Sequence, residues 1–225
     1  MKEAVILFSR IPIAGQTKTR LMPFLSGDEC AGLHSVFLKD IFNTLKILKR
    51  EVYIFYTPED EENYIDSNFN GYKEKKVQSG KDLGEKMFNA IEYVLSMGYE
   101  KCILIGADVP EIKADSIEKG FEILNDMDIV LAPTMDDGYY MVGMKRAINV
   151  IFKNQHYGSK RVIDNTIEAA ENNGFTVGLS DLYIDVDTKE DLKLLFSKIE
   201  SGEYECKNTE KYINEIIRER LEKLC

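Results

Sequence analysis

Short, continuous apolar runs alternate along this chain with longer stretches of helical periodicity. Six such runs are predicted as strands, at residues 4–8, 52–56, 102–105, 128–132, 140–144 and 175–179. Strands that are apolar throughout are typical of parallel sheets covered on both faces by helices. The alternation therefore predicts an α/β fold, a three-layer sandwich with a mostly parallel sheet.

Helical segments fill the gaps between these runs. Apolar residues at helical spacing predict helices over residues 30–49, 83–97, 117–124, 162–172, 192–199 and 209–224. Ser26 and Glu29 have the spacing of a capping box, and Thr188 and Asp191 repeat it. Right-handed crossovers would bring the carboxyl ends of the parallel strands to one edge of the sheet, where α/β proteins bind ligands.

The chain divides into a main domain, residues 1–200, and a C-terminal amphipathic helix within residues 201–225. The 225 residues are enough to bury a full core. The helix carries one apolar stripe, formed by Ile213, Ile216, Ile217, Leu221 and Leu224. Because such a stripe must pack against an apolar surface, we expect it to dock on the domain or on a partner chain in a homo-oligomer.

An acidic balance limits the ligands that this chain can bind. Its 29 Lys and Arg residues against 39 Asp and Glu residues give a net charge of −10. Such a chain is a poor non-specific binder of nucleic acid or of anionic membranes. An anionic ligand must therefore be held by a local cluster of basic groups.

The apolar runs are too short for a membrane span, which needs roughly 18 residues, and residues 4–8 are too short for a signal peptide. The four cysteines show neither a CxxC pair nor zinc-ligand spacing with histidine. We therefore expect a cytoplasmic protein without a membrane span.

The loop after the first run contains a small basic cluster. Gly15 precedes Lys18 and Arg20, but no glycine stands where a P-loop requires its first one. A glycine permits close backbone approach, and the two cations can pair with phosphate oxygens. We therefore expect a phosphate here; the alternative is a solvated basic turn.

Carboxylates also occur just after one predicted strand and just before one predicted helix. Asp108 comes just after the run at 102–105, and Asp185 and Asp187 precede the capped helix at 192–199. Carboxylates at the ligand-binding edge of a sheet can hold a divalent cation. The alternative is that these residues only form turns or cap helices.

Two further segments give weaker signals. Asp136, Asp137 and Gly138, followed by Tyr139, form either a turn, which the residue types alone favour, or the rim of a polar pocket. Gln78 and the nearby Gly84 could approach a nucleobase. His34 falls within a predicted helix and is predicted to be structural rather than part of a catalytic triad.

The order of these segments resembles a known family. The segments are PIAGQTKTRL, QSGKDLGEKM, ILIGADVPEI, LAPTMDDGYYMVG and YIDVDTKEDL. Together they resemble a bacterial family of largely uncharacterised glycosyltransferase-like proteins in the nucleotide-diphospho-sugar transferase superfamily, which has the GT-A fold. The resemblance covers about residues 4 to 195. This sequence departs from the family pattern at Ala14, Lys86 and Asp137, where Pro, Arg and Gly, respectively, are usual.

The resemblance implies a mixed, mostly parallel sheet with a nucleotide over the first strand. It also implies roles for individual residues. Phosphate contacts would come from Gly15, Lys18 and Arg20, and Gln78 and Gly84 would lie near the base. A catalytic Mg²⁺ or Mn²⁺ would be bound by Asp108 and by Asp187 or Asp185. The sugar or acceptor pocket would be bordered by Asp137, Gly138 and Tyr139.

Two reactions fit this arrangement. In both, a divalent cation, Lys18 and Arg20 would stabilise the negative charge on a leaving phosphate. The predicted catalytic set is therefore Lys18, Arg20 and Asp108. The substrate is either a nucleotide sugar, as in a glycosyltransferase, or a nucleoside triphosphate, as in a nucleotidyltransferase. Polar groups without a second basic cluster near Tyr139 favour glycosyl transfer to an unidentified acceptor. A non-catalytic nucleotide-binding module is the third alternative.

Overall fold

A seven-stranded sheet forms the centre of the computed structural model, which describes residues 2–222. The strands are β1 (Glu3–Arg10), β2 (Glu51–Thr57), β3 (Glu74–Val77), β4 (Lys101–Ile105), β5 (Ile129–Pro133), β6 (Tyr139–Met144) and β7 (Val177–Leu179). Their order across the sheet is β3-β2-β1-β4-β6-β5-β7. The central β1 pairs in parallel with both β2 and β4, so that their carboxyl ends lie side by side.

The sheet is mixed and mostly parallel, as the resemblance implied. Only β6 runs against its neighbours, pairing antiparallel with β4 and β5 among the described strands. The six predicted strands are confirmed with shifted ends. The seventh, β3, is not among the predicted strands, because its sequence EKKV is polar; it forms an edge of the sheet, where one side stays open.

Helices cover both faces of the sheet. They are α1 (Gly27–Ile47), α2 (Glu62–Asn68), α3 (Leu83–Ser96), α4 (Ala114–Asp126), α5 (Val162–Glu171), α6 (Lys189–Glu200), α7 (Lys207–Tyr212) and α8 (Arg218–Glu222). Both predicted capping boxes are present, at Ser26 and at Thr188. The box at Ser26 starts α1 at Gly27, three residues before the predicted start, because capping satisfies the free N–H groups of the first turn.

Alternate side chains of the strands build two separate cores. On β1, Val5 and Leu7 pack with α1 and α4, while Ile6 and Phe8 pack with α3 and β6 on the other face. This period of two is the ordinary geometry of a strand, and with both sides apolar it produces a continuous apolar run. The result is the three-layer sandwich that the sequence predicted.

The C-terminal segment packs against the same chain. A π-helical turn, Ile213–Ile217, joins α7 to α8, and the stripe residues Ile213, Ile217 and Leu221 are buried with side chains of α1 and α6. Ile216 is half exposed, and Leu224 lies outside the described residues. A homo-oligomer through this helix stays a prediction. None of the helices within residues 2–222 combines the length and the apolar composition that a membrane span requires.

Candidate nucleotide and metal site

A cavity of about 610 Å³ opens at the carboxyl ends of β1, β2 and β4. Most of the residues singled out from the sequence line it: Lys18, Arg20, Gln78, Asp108, Gly138, Tyr139, Asp185 and Asp187. Gly15, Gly84 and Asp137 are not among its lining residues. Parallel β1, β2 and β4 bring distant parts of the chain together at the expected edge.

The first loop is stabilised by hydrogen bonds between one of its side chains and its own backbone. The Thr17 hydroxyl donates to the Ile11 carbonyl at 3.1 Å and accepts from the Ile13 N–H at 3.0 Å. Gly15 has φ of +76°, a left-handed conformation that a side chain would strain. Gly15 therefore shapes the turn that presents Lys18, and its contact with a phosphate stays a prediction.

Lys18 lies among the carboxylates and does not project freely into the cavity. Its side chain is only 2% exposed, and its Nζ forms ion pairs with Asp108 and, at 3.3 Å, with Asp187. The same Nζ donates to the Val186 carbonyl at 2.6 Å, and the Val186 N–H donates to the Asp108 carbonyl at 3.0 Å. Burial alone would lower the pKa of Lys18, but the surrounding carboxylates outweigh it and the pKa is raised.

Three carboxylates form one cluster. Ligand oxygens of Asp108, Asp185 and Asp187 all lie within 4.8 Å of one another. Burial, followed by the charge of Asp108, raises the pKa of Asp185 to about 8. Burial would also raise the pKa of Asp108, but Lys18 and then His34 outweigh it and the pKa is lowered. The cluster therefore holds more negative charge than its lysine neutralises.

The cluster suits a hard divalent cation. The Asp185 Oδ1 atom is buried and has no hydrogen-bond partner among the described residues. An unpaired buried carboxylate oxygen is costly, and a cation would satisfy it. Carboxylate oxygens are the ligands that Mg²⁺ and Mn²⁺ prefer. The residues present thus fit the metal expected from the sequence, with Asp185 as well as Asp187 in reach of it.

His34 lines the cavity from α1. Its Nε2 atom lies 3.3 Å from the Ser9 hydroxyl and 3.1 Å from the Arg10 carbonyl, and its Nδ1 atom lies 3.8 Å from Asp108. Burial lowers the pKa of His34 to about 4, so the ring is neutral at pH 7. Its hydrogen bonds to the end of β1 agree with the structural role predicted for it.

The opposite wall carries two tyrosines and the loop before α5. The hydroxyls of Tyr139 and Tyr157 lie 3.3 Å apart. Asp137 has φ of +66° and lies outside the lining, whereas Asp136 and Gly138 line the cavity. The Asp-Asp-Gly sequence is therefore a turn that also contributes to the pocket rim, which combines the two alternatives drawn from the sequence.

Gln78 and Gly84 occupy positions fixed by packing. The Gln78 amide Nε2 donates to the carbonyls of Ser9 and Phe55, which ties β3 to the ends of β1 and β2. A Cβ on Gly84 would lie 2.5 Å from the Phe152 carbonyl oxygen, so only glycine fits there. Neither contact tests the expected proximity to a nucleobase.

Several lining residues were not predicted as site residues. Among them are Arg10, Thr57, Asp82, Lys86, Tyr157 and Ser159. Arg10 is the last residue of β1, and its position at a strand end was a usable signal. Tyr157 and Ser159 lie in a loop whose sequence carries no motif, so only the fold brings them to the site.

Comparison with known proteins places this fold in a class. A solved structure from Desulfovibrio desulfuricans G20, provisionally described as a nucleotide-diphospho-sugar transferase, is 27% identical, with a TM-score of 0.86 over 97% of this chain and 98% of that one. A 4-diphosphocytidyl-2C-methyl-D-erythritol synthase from Anaerococcus prevotii shares the fold, with a TM-score of 0.57 at 12% identity over 88% of this chain and 96% of that one. The chain has the nucleotide-diphospho-sugar transferase-like fold.

Sequence comparison identifies the family within that class. Residues 33–159, more than half of the chain, match the model of the family described as "Uncharacterized protein conserved in bacteria (DUF2064)", and the chain belongs to that family. A 2-phospho-L-lactate guanylyltransferase of Methanobrevibacter smithii is 27% identical over 217 residues, which cover 93% of this chain and 90% of that protein. This relative transfers a nucleotide, as its name states.

Proposed function

We propose that this chain is a metal-dependent nucleotidyltransferase that uses a nucleoside triphosphate, with guanosine triphosphate as the first candidate. The observation that carries the proposal is the cluster of Asp108, Asp185 and Asp187 around Lys18, at the cavity beside the end of β1. The similarity to a guanylyltransferase along almost the whole chain supports this reaction and this base.

The proposed reaction forms one phosphorus–oxygen bond and breaks another. An oxygen of the acceptor attacks the α-phosphorus of the triphosphate, and the bond from that phosphorus to the bridging oxygen of the β-phosphate breaks. The electron pair leaves with pyrophosphate, which carries the developing negative charge. Catalysis of such a transfer consists mainly of positioning and of stabilising this charge.

The residues of the cluster would have separate tasks. Asp108, Asp185 and Asp187 would hold Mg²⁺ or Mn²⁺, which supplies positive charge to the phosphate oxygens. Lys18, buried and bonded to the Val186 carbonyl, fixes the spacing of the carboxylates on both sides of it. Arg20 is 57% exposed on its side chain and can contact a phosphate while it keeps its pairing with Asp187.

Nucleotidyl transfer replaces glycosyl transfer as the favoured reaction. The preference for glycosyl transfer rested on polar groups without a second basic cluster near Tyr139. In the structure, Arg20 reaches that wall: a Cβ built on Gly158, the neighbour of Tyr157, would lie 3.4 Å from the Arg20 Nη2 atom. Tyr157 in turn contacts Tyr139, so the pocket also suits an anionic acceptor.

A product assay separates the two reactions. The protein is incubated with Mg²⁺ or Mn²⁺ and either nucleoside triphosphates with phosphorylated hydroxy acids and sugar phosphates, or nucleotide sugars with the same acceptors. We expect pyrophosphate from the first set, with guanosine triphosphate the best donor, and its loss in Asp108→Asn. The matched control, Asp126→Asn, changes an exposed aspartate at the end of α4 and should keep activity. Nucleoside diphosphate released from the nucleotide sugars, without pyrophosphate from the triphosphates, would overturn the proposal.

A further inference from the structure

The cations predicted to bind phosphate are already engaged with carboxylates. Lys18 is enclosed by Asp108 and Asp187, and Arg20 pairs with Asp187 at 3.3 Å. The proposed function requires a triphosphate, whose two outer phosphates become the leaving pyrophosphate. A cation that already forms an ion pair with the protein's own carboxylates neutralises less of an incoming anion's charge. The outer phosphates therefore need other positive groups in the cavity.

Arg10 and Lys86 also line the cavity, and the charge of Arg10 acts on Asp108 only from beyond ion-pair distance. Among the described residues, neither side chain takes part in an ion pair or a hydrogen bond. Arg10 is exposed and Lys86 is half-buried, so both charged ends can meet a ligand. In a chain with a net charge of −10, two unpaired cations in one cavity point to an anionic ligand.

The fold brings these two cations to the same cavity. Arg10 ends β1, and it lies on the face of the strand that also carries Phe8, two residues earlier. Lys86 precedes Met87 in the second turn of α3. Phe8 and Met87 belong to one apolar cluster and both line the cavity, as do Arg10 and Lys86, which lie near them in sequence.

We propose that Arg10 and Lys86 bind the β- and γ-phosphates of the nucleoside triphosphate and, after transfer, the pyrophosphate. The assignment rests on the proposed function, because it takes the triphosphate as substrate. It divides the positive groups of the cavity into two sets. Lys18 and Arg20 organise the carboxylates and the phosphate at which reaction occurs, and Arg10 and Lys86 hold the group that leaves.

Binding measurements with three ligands test this division. Guanosine triphosphate, guanosine monophosphate and inorganic pyrophosphate are titrated by calorimetry, with Mg²⁺ present, into the wild-type protein and into Arg10→Gln and Lys86→Gln. We expect each variant to lose on the order of tenfold to a hundredfold in affinity for the triphosphate and for pyrophosphate, as loss of a charge-assisted contact predicts. Affinity for the monophosphate should change less than about twofold, since it lacks the outer phosphates. Arg10→Lys should recover part of the loss.

The control is Lys81→Gln, which removes an exposed lysine close in sequence to Lys86 but outside the cavity lining. It should bind all three ligands as the wild type does. Unchanged triphosphate affinity in both variants, or equal losses for triphosphate and monophosphate, would each overturn the assignment while leaving nucleotidyl transfer intact. A wild-type protein that binds neither triphosphate nor pyrophosphate would overturn the proposed function itself. Thermal unfolding of each variant checks that it is folded.

Discussion

Replacing Glu111 by glutamine should remove a large part of the pH dependence of stability. Glu111 is 2% exposed; its Oε1 accepts a long bond of 3.4 Å from the Ile184 N–H, and its Oε2 has no partner among the described residues. Burial raises the pKa of this carboxyl from 4.5 to about 7. Glutamine has the same shape, carries no charge and can still accept from Ile184.

The sign of the effect follows from the two pKa values. Below pH 4.5 the carboxyl is protonated in both the folded and the unfolded protein, and burial costs no ionisation energy. Between pH 4.5 and about 7 the unfolded chain releases the proton while the folded protein keeps it, so stability falls as the pH rises. At ~1.4 kcal/mol for each pH unit, the loss reaches about 3 kcal/mol above pH 7.

Urea denaturation without divalent cations measures this difference. The free energies of unfolding of wild type and Glu111→Gln should be similar at pH 4.5 and should differ by about 3 kcal/mol at pH 8, with the variant the more stable. Subtracting the two proteins at each pH removes the contribution of Asp185, which titrates in both. Glu122→Gln, an exposed change on α4, should give no pH-dependent difference. A constant difference between wild type and Glu111→Gln across this pH range would refute the reasoning.

Three further changes test other parts of the structure. Mn²⁺ should raise the midpoint of thermal unfolding of the wild type but not of Asp185→Asn, because the variant lacks the unpartnered carboxylate oxygen; equal shifts would contradict the metal site. Asp40→Ala should cost about 1–3 kcal/mol in urea denaturation, since its carboxylate accepts from the N–H groups of Asn208 and Thr209 at the start of α7. Gly143→Ala should cost about 1–3 kcal/mol in the same assay, because a Cβ would lie 2.6 Å from an Ile103 side-chain carbon; an unchanged midpoint would show that the strands can move apart.

Local sequence was sufficient for most of the fold. The apolar runs located β1, β2 and β4 because a strand buried on both faces leaves no polar position, and the capping boxes placed two helix starts near their true positions. The polar edge strand β3 was harder to predict, since an edge strand is only partly covered and needs no apolar pattern. The resemblance implied a mixed sheet but did not say which strand is antiparallel, and apolar content does not encode strand direction, so only the structure assigns that direction to β6.

The sequence predicted many of the residues at the site but not the hydrogen bonds and ion pairs between them. Position after a strand was enough to select Asp108, Lys18 and Arg20, because strand ends meet at one edge. Sequence could not show that Lys18 turns inward to the carboxylates, since that depends on its left-handed backbone and on the distant Val186 carbonyl. Nor could it show that Asp137, unlike Asp136, lies outside the cavity, which is decided by one turn.

The peptide of Val186 has a consequence for how the protein becomes active during synthesis. Its N–H is bonded to the segment that carries Asp108 and its carbonyl to the first-loop residue Lys18, so one late stretch of chain joins two early ones. Most of the sheet is already complete before residue 186 leaves the ribosome, and it can begin to fold during translation. The carboxylate cluster cannot form until that residue has emerged. A nascent chain therefore acquires the carboxylate cluster only after residues 185–187 have emerged, and shorter products of interrupted translation would carry the first loop and Asp108 without the means to organise them.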